Sequence, residues 1–522
     1  MNKVAQKKAH CNRQKQARRM NRINQLRKKR KRPGRPLTKE QKKDRQEKLN
    51  KQKELKQKRK QLIADQVESK NVQRIRKALS SVFSITGLDE LAKATGFIKR
   101  QGSITAFSFI YMCSFGFLGN GSKALTYIVI GLSKFFGVNV TPQAFSKRIN
   151  TKSSTIFLRS VLEKLLETQL SIGLKNEFSE LFSMFSGILL EDSTIVTLNE
   201  DLSEDFRGFG GGASKSALKI QCIFDVMTHL MQSIKVTSGI IPDVSSAHDV
   251  LKCIKHTGLI IRDLGYFNLS SLIMIEKKCA YYLSRLSITT NVYLNKADID
   301  PLNTLDFLKK ELLKGNSSIS IPIYIGQKEK FRARLVAEKV PAHVCEQRKK
   351  KYKEKYKKSP PTYYKEWCGY SIFITNIPED IFSGKMIITL YKIRWQIELV
   401  FLNLKMNVEI DVIKGTNKHR IEGLVYGRLI TILTIYIIQN YATNMAGNRE
   451  VSGNKLTKWL ASDDRLHEAI REENISLLLI MLECDLILVC KQQRQRKTTQ
   501  KLIEETFHME QNNINQEALS CA

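Results

Sequence analysis

None of the ten cysteines forms a C-x-x-C pair, and only 8 histidines occur in 522 residues. Neither residue type has the spacing of a zinc site, so the scattered thiols are expected as free core groups in a reducing compartment. No apolar leader opens the chain, because its first sixty residues are almost entirely polar. Long uninterrupted apolar runs are also missing. The richest stretches, 104–132, 424–438 and 475–489, are broken by Gly, Lys, Arg, Asn, Glu or Asp. They are expected as buried helices rather than membrane spans. The cluster Gly208, Gly210, Gly211 and Gly212 lacks the G-K-[ST] ending of a phosphate-cradling nucleotide loop. Acidic residues are in the minority: 50 Asp+Glu face 87 Lys+Arg, a net charge of +37. That balance says little about fold. It points to a polyanionic partner, either nucleic acid or an anionic membrane surface.

The positive charge is concentrated at the start. Residues 1–60 hold 26 Lys/Arg and 4 Asp/Glu, a net of +22, leaving +15 for the remainder. So polar a segment buries too little apolar surface to offset its chain entropy. A disordered arm is expected to about Pro36, followed by a charged helix from Thr38. Within the arm, Lys31-Arg32-Pro33-Gly34-Arg35-Pro36 resembles an AT-hook, whose arginine enters the narrow minor groove of A·T tracts. A plain solvated basic tail is the competing reading.

At this length two to four domains are expected. From about 72 to 150 the pattern is apolar and helical. It ends in Thr141-Pro142-Gln143-Ala144-Phe145-Ser146-Lys147-Arg148, with Thr141 as N-cap and Pro142 at the first helical position. This helix offers Gln143, Lys147 and Arg148 to a DNA groove; an exposed amphipathic helix is the alternative. A β-rich stretch follows. It comprises a buried strand at 187–190, a hairpin from 218–226 and 231–238, and a short strand at 259–261. Further β-prone segments, 319–325, 332–340 and 370–375, flank a lysine run at 348–358, read either as a solvated loop or as a DNA clamp. A helical pattern resumes near Ser383 and reaches about Tyr441.

Two strands end at an aspartate: Asp192 follows Gly-Ile-Leu-Leu-Glu and Asp263 follows Leu-Ile-Ile-Arg. Glu191 and Asp192 point to opposite faces of their strand, so only one of them enters a given site. A third acidic position lies in Tyr391-Lys-Ile-Arg394-Trp-Gln-Ile-Glu398, followed by Lys405. At about 100° per residue, Tyr391, Arg394, Glu398 and Lys405 share an arc of about 60°. Ile393, Ile397, Val400 and Leu404 form a separate apolar stripe. Trp395 is read as packing. Trp367, near Tyr363 and Tyr364, is read either as core packing or as a platform for an extruded base.

The pattern Y-x2-R-x3-E-x6-K, preceded by strand-terminal Asp192 and Asp263, resembles the DDE transposases of bacterial insertion sequences. It is similar to the insertion-sequence-4 family, the YREK type. "Asp192-Ser-Thr", "Arg262-Asp263-Leu-Gly-Tyr-Phe" and "Thr375-Asn-Ile-Pro" also resemble that family's core, over about residues 140–445. The resemblance implies an α/β fold: an RNase H-like catalytic core, a mixed sheet flanked by helices. A β-rich insertion would interrupt it, and an N-terminal helical DNA-binding domain would precede it. The expected divisions are a basic arm (1–70), the helical domain (71–180), first core part (181–281), insertion (282–375), second core part (376–445), and a C-terminal helical region with basic tail (446–522).

The implied activity is cut-and-paste transposition by a metal-dependent nuclease and strand transferase. Asp192, Asp263 and Glu398 would be catalytic and would hold two Mg²⁺ ions, with Mn²⁺ as substitute, because hard oxygen ligands without His or Cys select those metals. Tyr391, Arg394 and Lys405 would grip phosphates, with Trp367, Lys147, Arg148 and Arg35 as further DNA contacts. The implied partners are double-stranded DNA, both transposon inverted repeats and target, and a second copy of the chain in the synaptic complex, with no membrane. The implied location is the bacterial cytoplasm, at the nucleoid. A domesticated, non-catalytic DNA-binding protein is the alternative. The arm departs from the family pattern. Deleting residues 1–70 is expected to flatten the fall of DNA affinity with salt, by about 0.9 unit of log–log slope for each phosphate the arm neutralises. A salt titration of binding checks this, and an unchanged slope dismisses the arm as a DNA-binding element.

Overall fold

The computed structural model describes residues 70–491, with short gaps at 101, 117, 119–124, 173–181, 211–213, 314–317, 448, 463–464 and 473–474, together with 505–506 and 508–509. The basic arm with Arg35 and the AT-hook-like segment lies outside the described residues.

Among the described residues six helices come first: α1 (Lys70–Phe83), α2 (Ile85–Ala94), α3 (Ala106–Ser114), α4 (Leu125–Phe136), α5 (Pro142–Ile149) and α6 (Lys152–Ile172). Their starts are written in short polar side chains. Ser84 accepts from the Gly87 amide, Thr105 forms a capping box with Ser108, and Thr141 accepts from the Ala144 amide just before Pro142. Every residue of α3 is buried, in keeping with an apolar composition broken only by Ser108 and Ser114.

The strands follow: β1 (Ile188–Thr197), β2 (Ala217–Asp225), β3 (Leu230–Ser238), β4 (Leu259–Arg262) and, after helix α7 (Leu269–Lys277), β5 (Tyr281–Arg285). β1, β2 and β3 pair antiparallel, whereas β4 runs parallel to β1 and β5 parallel to β4. The order β3-β2-β1-β4-β5 with these directions is the mixed sheet of an RNase H-like core. Next come β6 (Val292–Tyr293), α8 (Thr304–Leu313), β7 (Ser318–Ile325), β8 (Phe331–Lys339), α9 (Ala342–Tyr356), α10 (Thr362–Trp367) and β9 (Tyr370–Thr375). These strands do not form a separate sheet. β9 pairs antiparallel with β5, and β8, β7 and β6 continue outward, so one sheet of nine strands runs through core and insertion. The lysine run is the helix α9 rather than a loop.

After β9 the described residues form α11 (Gly384–Leu390), α12 (Trp395–Val408), α13 (Lys418–Ala446), α14 (Gly453–Ala461), α15 (Arg465–Arg471), α16 (Ile475–Cys484) and α17 (Leu486–Val489). α13 is the one helix among the described residues long and apolar enough to cross a membrane by length and composition, and 94% of its most apolar window is buried inside the protein. It is the hub of the larger core. Thr155 donates to the His419 carbonyl, Arg420 donates to Asn150, and Thr431 donates to the Ser114 carbonyl. A Cβ on Gly427 would stand 2.2 Å from the Cys113 carbonyl oxygen, so only glycine permits this approach of α13 to α3.

Alternation along the strands sorts side chains between two cores. Ile188, Leu190, Leu259 and Ile261 join the larger core with the helices, while Leu189, Ile260 and Tyr282 join a smaller one under α7 and α8. On the smaller-core face the last register pair of β1 and β4 is Glu191 beside Arg262. Both are buried, with Arg262 Nη2 3.0 Å from Glu191 Oε2, an ion pair by distance. Arg262 also donates to Ser271 Oγ (3.1 Å) and to the carbonyl of Ala247 (3.2 Å). Burial raises the Glu191 pKa and lowers that of Arg262, and each charge opposes the effect of burial on the other. Replacing Arg262 with Met is expected to cost about 3–5 kcal/mol, because a buried carboxylate is left alone. The double variant E191Q/R262M should recover most of that loss. Urea unfolding midpoints check this, and a single-variant cost under about 1 kcal/mol would contradict it.

Candidate active site

The register that pairs Glu191 with Arg262 also fixes the next two residues. Asp192 and Asp263 each stand one step beyond that pair, so they sit side by side and project to the opposite face, toward α12. Here β4 stops while β1 continues along β2 to Thr197. Asp263 caps a 3-10 turn, Leu264–Tyr266, with its backbone extended and with no side-chain cap bond, so its carboxylate is left to face the cleft. Asp192 accepts from the Ser193 amide at 2.8 Å.

The helical wheel drawn from sequence treats 391–405 as one α-helix. The structure differs: Tyr391–Arg394 is a 3-10 turn, and α12 begins at Trp395. At three residues per turn, positions three apart eclipse, so Tyr391 and Arg394 still share a side. The Tyr391 hydroxyl donates to Asp263 Oδ1 at 3.4 Å. Arg394 Nη1 donates to Asp192 Oδ2 at 3.1 Å, and its Nη2 donates to Glu398 Oε1 at 2.6 Å. One turn of chain thus touches all three carboxylates. The apolar stripe of Ile393, Ile397, Val400 and Leu404 is buried and holds that turn against the larger core.

The other sequence-derived positions separate. Lys405 is exposed, two turns along α12 from Glu398 and outside this network. Lys147 is exposed on α5. Arg148, next to it, turns inward, its guanidinium 4.6 Å from the Phe97 ring centre. Trp367 is half-buried against the smaller core, stacked on Tyr363, and takes no part in the carboxylate network. Trp395, read as packing, is 55% exposed: it lies off the apolar stripe of α12 and faces outward.

Two residues went unmarked in the sequence, Asp243 and Lys219. Asp243 Oδ1 accepts from Ser193 Oγ (2.9 Å) and from the buried Lys219 (2.9 Å), whose ammonium also donates to the Ile241 carbonyl. A Cβ on Gly265 would come to 3.3 Å from Asp243 Oδ2, so the glycine after Asp263-Leu264 leaves room for this acid. No local pattern marks Asp243, because its partners are 24 and 50 residues away.

Burial, then the charges of Asp263 and Asp243, push the Asp192 carboxyl up to about 6, against the Ser193 amide and Arg394. Burial, then the charge of Asp263, likewise raises Tyr391. The donors are all hard oxygens, and a guanidinium already stands among them, so the site suits added positive charge. Among the described residues no three His, Cys, Asp or Glu side chains close on one point as ligands.

A folded-state pKa raised for an acid means that ionisation destabilises the fold. This penalty is absent below the unfolded value near 4, grows as pH rises to about 6, and is constant above that. Asp192→Asn removes the penalty. In chelator, its stability relative to the parent is expected to rise by about 3 kcal/mol between about pH 4 and pH 6, at about 1.4 kcal/mol for each pH unit between the ordinary value and about 6, and then level off. Urea midpoints across that range check the sign; a difference independent of pH would contradict the assignment.

Residues 184–434 match the family model described as the transposase DDE domain. The transposase for insertion sequence element IS231F of Bacillus thuringiensis subsp. israelensis is 29% identical over 364 residues, covering 66% of this chain and 75% of that relative. The transposase for insertion sequence element IS1151 of Clostridium perfringens is 27% identical over 381 residues, covering 70% and 80%. Among solved structures, a piggyBac transposase synaptic complex with hairpin DNA aligns over 81% of this chain and 87% of that one, at 13% identity and a TM-score of 0.41. Asp192, Asp263 and Glu398 all lie inside the span that matches the transposase DDE domain, and the chain is similar to transposases of bacterial insertion sequences over about two thirds of its length.

Proposed function

We propose that this protein is a YREK-type transposase of the insertion-sequence-4 kind. It would cut double-stranded DNA at transposon ends and join the freed 3′ ends to target DNA. The observation that carries this reading is the turn Tyr391–Arg394, whose side chains reach Asp192, Asp263 and Glu398 together. Those three carboxylates are the residues that would hold divalent ions, two Mg²⁺ with Mn²⁺ as substitute. When bound, the ions supply activation of the attacking oxygen and stabilisation of the leaving one at phosphorus.

The protein's own residues do the positioning. Arg394 is a fork whose two terminal nitrogens now grip carboxylates, and the same fork matches two oxygens of a phosphate. On DNA it exchanges one grip for the other. The Tyr391 hydroxyl donates from the same side. Lys405 adds a point charge further along α12, where a longer stretch of backbone passes. Lys147, facing outward on α5, contacts phosphate from the helical region. The inverted repeats and target are the DNA partners, and two copies of the chain hold two ends together in the bacterial nucleoid.

Glu398→Gln keeps the shape of the site and the Arg394 hydrogen bond but removes one anionic ligand. Strand cleavage in Mg²⁺ is expected to fall below detection while binding of the terminal repeat is unchanged. Gel assays of both on one preparation check this. Retained cleavage would remove Glu398 from the catalytic set.

A further inference from the structure

The hairpin of α9 and α10 projects from the insertion between β8 and β9. Residues 342–367 hold eight lysines and Arg348 against Glu346, Glu354 and Glu366, a net charge of +6. No residue of α9 is buried, so no apolar face explains why a 15-residue helix stands here. It is fixed from one side only. Arg348 donates to the carbonyls of Cys368 (3.2 Å) and Tyr370 (2.6 Å) and to Ser371 Oγ (3.0 Å). Tyr352 packs its ring on Tyr356 and on Tyr364, at 4.6 and 4.5 Å between centres. This leaves Lys350, Lys351, Lys353, Lys355, Lys357 and Lys358 exposed. At about 100° per residue, the four on the helix spread over more than half of its circumference. Their mutual repulsion is lowered by a partner that brings anionic charge to several sides.

The root of the hairpin is close to the carboxylates. β9 carries both the groups that hold Arg348 and Phe373, whose ring lies 4.6 Å from that of Tyr391. Ser371 and Phe373 are two residues apart, about 7 Å along a strand. Arg285, at the end of β5, lies within electrostatic reach of Tyr391 on one side and of Arg348 and Tyr364 on the other. Positive charge therefore runs from the site through Arg285 to the lysines. α9 is about 22 Å long, enough to follow a duplex over several base pairs.

We infer that the α9–α10 hairpin is a sequence-independent clamp on the phosphates of the DNA duplex flanking the cut. This rests on the transposase reading above. Lysines are point charges on flexible stems, suited to backbone contact rather than to base reading.

The test uses the full chain with Lys350, Lys351, Lys353 and Lys355 changed to Gln, and a second variant with the same four changed to Arg. Affinities for a terminal-repeat duplex and for an unrelated duplex are measured over a salt series, with Mg²⁺-dependent cleavage by the parent protein alongside. The Gln variant is expected to weaken binding to both duplexes alike and to lower the log–log salt slope by up to about 3.6, at about 0.9 for each of four neutralised phosphates. The Arg variant should keep both affinity and slope. If the parent cleaves DNA and the Gln variant binds with unchanged affinity and slope, the clamp is overturned while the transposase reading stands. A loss confined to the terminal repeat also overturns it, because the hairpin would then read sequence. A parent that neither binds nor cleaves DNA overturns both.

Discussion

Arg394 stands between Asp192 and Glu398, with one terminal nitrogen 3.1 Å from the first carboxylate and the other 2.6 Å from the second. The rest of the site depends on that interaction. Asp192, Asp263 and Asp243 crowd a half-buried cleft, and their repulsion adds to the burial that pushes the Asp192 carboxyl up. Like charges held this close disfavour the folded state unless something cationic stands among them. The guanidinium does so without filling the cleft, because it comes from the turn that leads into the helix carrying Glu398. In the proposed function, the same geometry lets it turn to a phosphate when DNA brings negative charge of its own.

Holding carboxylates near one another needs a rigid frame. The frame is the parallel pairing of β1 with β4, closed at its end by the buried pair Glu191–Arg262. This pair faces the smaller core, and the acids face the larger one. Polarity is thus divided by the alternation of the strand: one residue locks the strands together and the next carries a carboxylate of the site. A slip of one residue in either strand would exchange these roles.

Much of this was legible in the sequence. An apolar run ending in an acid marks a strand terminus, and two such runs marked Asp192 and Asp263. The stripe Ile393, Ile397, Val400, Leu404 gave the buried side of α12. What stayed hidden is non-local or breaks a period. The 3-10 turn at Tyr391–Arg394 violates the fixed angle that a helical wheel assumes, although the eclipsing of positions three apart preserved the outcome. Asp243 is brought in by pairings across 24 and 50 residues. That β9 joins β5, making core and insertion one sheet, is a matter of strand order, which composition does not encode. Trp395 shows the converse: its bulk suggested packing, yet its angle on the helix turns it outward.

The position of α13 in the chain sets a schedule. The N-terminal helices close around it through hydrogen bonds such as Thr155 to His419 and Thr431 to Ser114, spanning 264 and 317 residues. At about 5–20 residues per second, the ribosome takes roughly 15–60 s to deliver their partner after they emerge. During that interval α3 has its neighbours Phe97, Phe136 and Phe145 but lacks the side that α13 covers, and a chain stopped before residue 418 cannot complete the larger core. Completion of the larger core is therefore a late event in synthesis, since α13 is delivered only when about four fifths of the chain has been made.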